Sequence, residues 1–275
     1  MSIITLISDF GLKDHYVGIL KGKIYSQFPE VNIVDISHFV SKFNIFDASY
    51  LLEVSYHHFP KGTVHVMAVD AAQTQDTNHV ALLYDGHYFI GADNGVFGHL
   101  TSKMKADKMV QINIHDRIPN GSSDLDVFAA VAAHLAKGGA LTVIGKEIEE
   151  VKQLYRLNVI VDENQQFIKG NVVYIDDFGN CVTNISQKQV EELAKGRNAS
   201  LRFFNKKIDK IRKSYTDFKK NDQISLKSHE GNALAIFNEA GFLEIAIYKS
   251  NPESIGSASS LLGLRFRDVV TVEFE

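Results

Sequence analysis

Apolar and polar positions follow two alternating periods through the first half of the chain. Ile3 to Ile7 is a near-continuous apolar run, the pattern of a strand covered on both faces. Apolar residues at helical spacing then run from about His15 to Phe28, a second strand spans Val31 to Ile36, and a second helix spans about Ile45 to His58. Thr63 to Val69 is the next strand. Strands and helices alternating with short connections predict a mostly parallel sheet flanked by helices. Val80 to Tyr84 and His87 to Ile90, split by Asp85-Gly86, read as a hairpin, because Asp-Gly supplies the positive φ angles of a tight primed turn. Asp126 to Lys137 reads as a helix stopped by Gly138-Gly139.

After about residue 153 the texture changes. Short β-branched segments separated by turns, with one helix signal between Gln187 and Lys195, predict a smaller, mainly antiparallel and barrel-like β-domain. The expected division is 1–153, an α/β domain, and 154–275, a β-domain. A length of 275 residues suits two domains.

Composition narrows the function classes. Net charge is −4, and basic residues cluster only at Lys206 to Lys213 with Lys219 and Lys220, expected to be a solvated loop. That footprint is too weak for a nucleic-acid binder, and no apolar run is long enough to span a membrane. The single cysteine, Cys181, rules out an internal disulfide and a cysteine-rich zinc site. The histidines lack metal-motif spacing, and no phosphate loop, nucleophile elbow or dinucleotide fingerprint occurs. The chain enters a strand almost at once, without a secretory signal, so a cytoplasmic protein is expected.

Candidate chemistry lies where strands end. Asp9 and Asp14 flank the turn after the first strand, at the edge where ligands of α/β sheets sit. Two carboxylates there suit a ribose diol better than a phosphate; helix capping is the alternative for Asp14. Asp70 closes the Thr63–Val69 strand in the same way and is expected to face the same crevice. In Asp176-Asp-Phe-Gly-Asn180, a corner between two strands, Asn180 can donate and accept as an adenine edge demands, Asp176 can accept from an amine or hydroxyl, and Phe178 offers a ring face. A plain hairpin turn is the competing reading, as it is for Asp93-Asn94-Gly95.

Six segments taken in order, Ser8-Asp-Phe-Gly11, Tyr16 to Gly22, Asp35-Ile-Ser-His38, Phe59 to Val66, Asp93-Asn-Gly95 and Ile175 to Ile185, resemble the S-adenosylmethionine hydroxide adenosyltransferases and their fluorinase and chlorinase relatives. The resemblance spans nearly the whole chain. It implies an α/β domain plus a β-domain, assembled as a homotrimer with each small-molecule nucleoside pocket between one subunit's N-domain and its neighbour's C-domain. It implies S-adenosylmethionine as substrate, with no cofactor and no metal. Position by position, Asp9 would hold the ribose hydroxyls; Asp14, Tyr16 and Phe43 would line the ribose and the methionine side. Asp176 would approach the methionine amino group and Asn180 the adenine edge, with Phe178, Gln73, Asn238 and Glu239 completing the substrate-binding set.

The family reaction is attack of a nucleophile on the ribose C5′ carbon, with methionine leaving. Hydrolysing members hold water with an aspartate, an arginine and a histidine; here those positions read Asp70, Thr77 and Ser123, and neither replacement carries a positive charge. Glu239-Ala240 stands where the resemblance expects Ser-Arg. The leading expectation is an adenosine-forming hydrolase with Asp70 orienting the water. A nucleoside-binding or altered-substrate protein of the same fold is the rival, and a halide transferase is disfavoured because Asp70 and Asp124 would oppose an anion.

Overall fold

The computed structural model describes residues 2–119, 121–155, 157–218 and 226–275, excluding the side chains of His115 and Asp116. The described chain divides into two compact units, Met1–Tyr155 and Arg156–Glu275.

The first unit runs β1 (Ile3–Ser8), α1 (Tyr16–Gln27), β2 (Asn32–Ser37), α2 (Ile45–Ser55), β3 (Val64–Ala68), β4 (His79–Tyr84), β5 (His87–Ala92), α3 (Gly98–Lys103), β6 (Lys108–Ile112), α4 (Asp124–Ala136), α5 (Leu141–Ile144) and β7 (Gly145–Glu147). Its seven strands pair in the order β2-β1-β3-β5-β4-β6-β7. The pairings from β2 to β5 are parallel, whereas those from β5 through β4 and β6 to β7 are antiparallel. The sheet is therefore mixed and not mostly parallel. The physical reason is the Asp85-Gly86 hairpin: a two-residue turn can only return the chain antiparallel, and β6 and β7 continue that sense.

Alternation along β1 and β3 puts a core on each face of this sheet. Ile4, Leu6, Val64 and Val66 pack with Leu20 and Ile24 of α1 and Phe128 and Val131 of α4. Ile7, Met67 and Val69 pack on the other face with Ala48 and Leu52 of α2. Two-sided burial explains why these strands read as continuous apolar runs. Polar residues within the strands are tied together: Thr5 Oγ1 lies 2.7 Å from His65 Nδ1, and His65 Nε2 lies 3.2 Å from His87 Nδ1. Burial, and the neighbouring His87, push the His65 pKa down to about 3.

The second unit contains β8 (Ile160–Val161), β9 (Phe167–Ile175), β10 (Cys181–Ser186), α6 (Gln187–Ala194), β11 (Ala199–Phe203), β12 (Lys206–Ile208), β13 (Ile211–Arg212), β14 (Ala233–Phe237), β15 (Phe242–Ile247), α7 (Ala258–Leu262) and β16 (Val269–Phe274). Its path is β12-β11-β16-β9-β10-β15-β14-β13, with β8 also pairing β9; β13–β14 is parallel and the other pairings are antiparallel. The two ends of the path meet, β11 beside β13 and β12 beside β14, so the sheet curls nearly into a barrel around Ile168, Val172, Leu201, Ile245 and Val272. Lys206 to Lys213, expected as a loop, forms the short edge strands β12 and β13. Lysines suit exposed strand edges because their charge discourages further pairing. Lys219 and Lys220 lie outside the described residues. Among the described residues, no helix is long and apolar enough to cross a membrane.

Candidate functional site

At the carboxyl end of β1, Asp9 is only 6% exposed. Its Oδ2 accepts the Phe43 N–H at 2.9 Å, and the Lys42 ammonium donates to its backbone carbonyl. That bond from Asp9 holds Phe43 at φ +60°, a left-handed conformation unfavourable for a bulky residue. The result is a fixed carboxylate beside an aromatic ring that is 70% exposed. Among the described residues nothing donates to Asp9 Oδ1. Tyr16, the first residue of α1, stands close by in chain order with its ring 5.6 Å from that of Phe10. The N-cap of α1 is His15 without a side-chain cap bond, so Asp14 is an exposed turn residue preceding the cap.

Beneath Asp9, Ser8 Oγ lies 2.7 Å from His38 Nδ1, and His38 Nε2 lies 3.1 Å from Asp35 Oδ1. This series resembles a nucleophilic triad, but Ser8 is fully buried and cannot meet a substrate. It braces the turn instead.

Ser8 on β1 pairs with Ala68 on β3, so Asp9 and Asp70 follow the ends of adjacent parallel strands. Asp70 is exposed and has φ +43°. Asn94 holds the segment by donating from Nδ2 to the carbonyls of Val69 at 3.1 Å and Asp70 at 3.0 Å. The Asp93-Asn94-Gly95 turn thus acts on the Asp70 loop. Buried His79 holds the next residue: its Nε2 is 2.9 Å from the Ala71 carbonyl, which can only accept, so Nε2 carries hydrogen. The same nitrogen is 3.6 Å from Asp124 Oδ1, which places the start of α4 beside the Asp70 loop.

Ser123 and Thr77 belong to these two segments. Ser123 caps α4, with its N–H and hydroxyl both donated to Asp126 Oδ2 at 2.8 and 2.9 Å. Thr77 is half-buried and its carbonyl closes a turn with the Thr74 N–H. Gln73 is exposed, and no polar contact joins it to the other candidates among the described residues.

In the second unit, the corner between β9 and β10 is built around Asp176. Its Oδ1 accepts the Asn180 backbone N–H at 2.8 Å and its Oδ2 the Asn180 Nδ2 at 2.9 Å. Gly179 at φ +71° makes this possible, and a Cβ there would fall 2.2 Å from Ser257 Oγ. Phe178 is left 69% exposed at the tip. Asn180 Nδ2 also lies 3.2 Å from the Tyr215 hydroxyl, which donates to buried Glu244. Glu244 is bonded in turn by the Asn238 side chain, so Asn238 joins the cluster. Glu239, exposed in the β14–β15 turn, does not. Burial raises the carboxyl pKa of both Asp176 and Glu244, and the charge of Asp176 raises that of Glu244 further. Such a corner favours a cationic or hydroxyl-bearing group. Among the described residues no cluster of three metal-ligating side chains occurs.

Three residues that matter here escaped the sequence reading, His79, Tyr215 and Glu244, and Asn94 was read only as part of a turn. Only Glu244 carried a signal, a lone carboxylate inside the apolar strand Leu243 to Ile247.

An α/β unit with carboxylates at adjacent strand ends, followed by a curled β unit with an Asp-Asp-Phe-Gly-Asn corner, defines a two-domain, α/β-plus-β class of protein. The chain matches the SAM hydroxide adenosyltransferase N-terminal domain over residues 4–145 and the C-terminal domain over residues 170–271, and it belongs to that family. It is 29% identical over 281 residues to an (R)-S-adenosyl-L-methionine hydrolase of Methanocaldococcus jannaschii, covering 99% of this chain and 96% of that protein. It is 26% identical over 231 residues to a fluorinase of Nocardia brasiliensis, covering 73% and 76%. A crystal structure of a conserved protein from Thermotoga maritima superposes with a TM-score of 0.84 at 28% identity, covering 98% of this chain and 99% of that one.

Proposed function

We propose that the protein binds S-adenosylmethionine and hydrolyses it to adenosine and methionine. The observation that carries this reading is the relation along the whole chain to a protein named as such a hydrolase. The geometry supports it. Asp9, with Oδ2 engaged by Phe43 and Oδ1 open, suits a ribose diol, because a carboxylate accepts from both hydroxyls. Asp14, Tyr16, Phe43 and Gln73 are the remaining proposed contacts of the α/β unit, and Asp176, Phe178, Asn180, Asn238 and Glu239 those of the β unit. The raised pKa of Asp176 and its acidic surroundings suit a donor, the methionine amino group.

In the proposed reaction, a water oxygen forms a bond to the ribose C5′ carbon as the C5′–S bond breaks, and the bonding pair leaves with methionine. The water yields one proton. Asp70 is the proposed acceptor and orienting group, with Thr77 and Ser123 beside it. The sulfonium is already an excellent leaving group, so alignment and partial desolvation of the water are the main requirements. The functional units are taken as 1–153 and 154–275. A homotrimer in the cytoplasm, each α/β unit facing a neighbour's β unit, completes the reading.

A second reading, a nucleoside-binding protein without turnover, is favoured by Ser123, whose hydroxyl is already committed to Asp126. Incubation with S-adenosylmethionine and chromatography of the products separates the two. Adenosine and methionine formed in equal amounts support hydrolysis. No adenosine above a buffer blank over hours, with adenosine bound in calorimetry, selects the second reading.

A further inference from the structure

The Asn180 side chain was expected to donate and accept at once. The structure leaves it one of these roles. An amide oxygen and nitrogen are told apart by their partners, and here the partners decide the orientation. Asp176 Oδ2, 2.9 Å away, is a carboxylate oxygen and accepts, so the atom facing it is the nitrogen. The second N–H of the same nitrogen points to the Tyr215 oxygen at 3.2 Å. That oxygen accepts because the Tyr215 hydroxyl proton is donated to Glu244, another carboxylate. Two ionised carboxylates, Asp176 and Glu244, thus accept at both ends of the series. Both amide hydrogens of Asn180 are consumed. Among the described residues nothing donates to Asn180 Oδ1, although the residue as a whole is only 6% exposed.

We propose that Tyr215 and Glu244 are specificity-determining positioning residues, which make Asn180 a pure acceptor and so select a purine bearing a 6-amino group over its 6-oxo counterpart. This deepens the nucleoside-binding reading and rests on it. A 6-amino group donates to Oδ1. A 6-oxo group would set one acceptor against another, and the two amide hydrogens that could relieve the clash are already held. Desolvation in the corner sharpens the difference, since an unpaired acceptor cannot turn to water.

The test is calorimetric binding of adenosine and of inosine to the full-length protein, compared as a ratio. Wild type should bind adenosine at least about tenfold tighter than inosine. Tyr215→Phe frees one amide hydrogen, and Glu244→Gln keeps the shape while removing the one-way acceptor; each should narrow the ratio at least about threefold. A merely structural role would weaken both nucleosides by the same factor, and that result overturns the assignment of Tyr215 and Glu244. Wild type binding inosine within about twofold of adenosine overturns the proposal while leaving the nucleoside reading standing. Failure to bind either nucleoside overturns both.

Discussion

His65 makes the stability of the α/β unit depend on pH in a way that can be isolated. Its ring is fully buried, stacked on Phe89 at 5.0 Å between centroids, and bonded to Thr5 and His87. The folded pKa is about 3 against an ordinary 6.5. The unfolded chain therefore takes a proton below pH 6.5 that the folded chain refuses, and the contribution of neutral His65 is complete above 6.5 and lost as pH falls toward 3. Each pH unit inside that window is worth about 1.4 kcal/mol, so going from pH 7 to 4.5 should remove about 3 kcal/mol. His65→Phe keeps a ring against Phe89 and abolishes the titration, while losing the Thr5 and His87 bonds, about 1–3 kcal/mol at pH 7. The chain has no tryptophan, so urea unfolding followed by circular dichroism is the suitable assay. The variant should be the less stable protein at pH 7 and lose about 3 kcal/mol less than wild type between pH 7 and 4.5. Parallel pH profiles for the two proteins would refute the reasoning.

Three further outcomes follow from the site. Asp9→Ala should weaken adenosine binding at least about tenfold by calorimetry, since charged hydrogen bonds are the stronger ones; unchanged affinity would remove the ribose assignment. Gly179→Ala should lower stability by about 2 kcal/mol or more in thermal unfolding, from the clash with Ser257 and the positive φ, and adding Ser257→Gly should recover only the clash. Asn94→Ala should lower kcat for S-adenosylmethionine with adenosine affinity held, because Asn94 bonds the Asp70 segment and not Asp9; equal loss of both would point to general unfolding.

Much of the first unit was legible because its periodicity is set locally. β1, β3 and the helices α1 and α4 carry two-sided or amphipathic patterns that survive in one sequence. The mixed character of the sheet was half legible: the Asp85-Gly86 hairpin announced β4 and β5, but β6 and β7 join that edge through pairings that no local pattern encodes. In the second unit the basic segment Lys206 to Lys213 was read as a solvated loop, although edge strands carry the same composition. The site divides similarly. Asp9, Asp176 and Asn180 announce themselves by turn chemistry at strand ends. Tyr215 lies 35 residues from Asn180, and only the fold makes them neighbours.

Strain at the site is distributed in a way that bears on which groups act. Phe43 and Asp70 are both non-glycine residues at positive φ, at 60° and 43°, and each is held there by a side chain from elsewhere in the fold, Asp9 for one and Asn94 for the other. Neither conformation serves the core, since both side chains are exposed. A conformation that costs energy and buries nothing persists only when its surroundings over-determine it, and such residues concentrate where a side chain must be presented. Ser123 and Thr77 show no such investment: one is an ordinary helix cap and the other closes a turn. The fold therefore holds the Asp9 carboxylate and the backbone of the Asp70 segment in place, while Thr77 and Ser123 contribute secondary-structure bonds. On this arrangement, Ser123→His would cost α4 the hydroxyl bond to Asp126 while keeping the backbone N–H bond, so any gain in turnover would come with a less stable helix start.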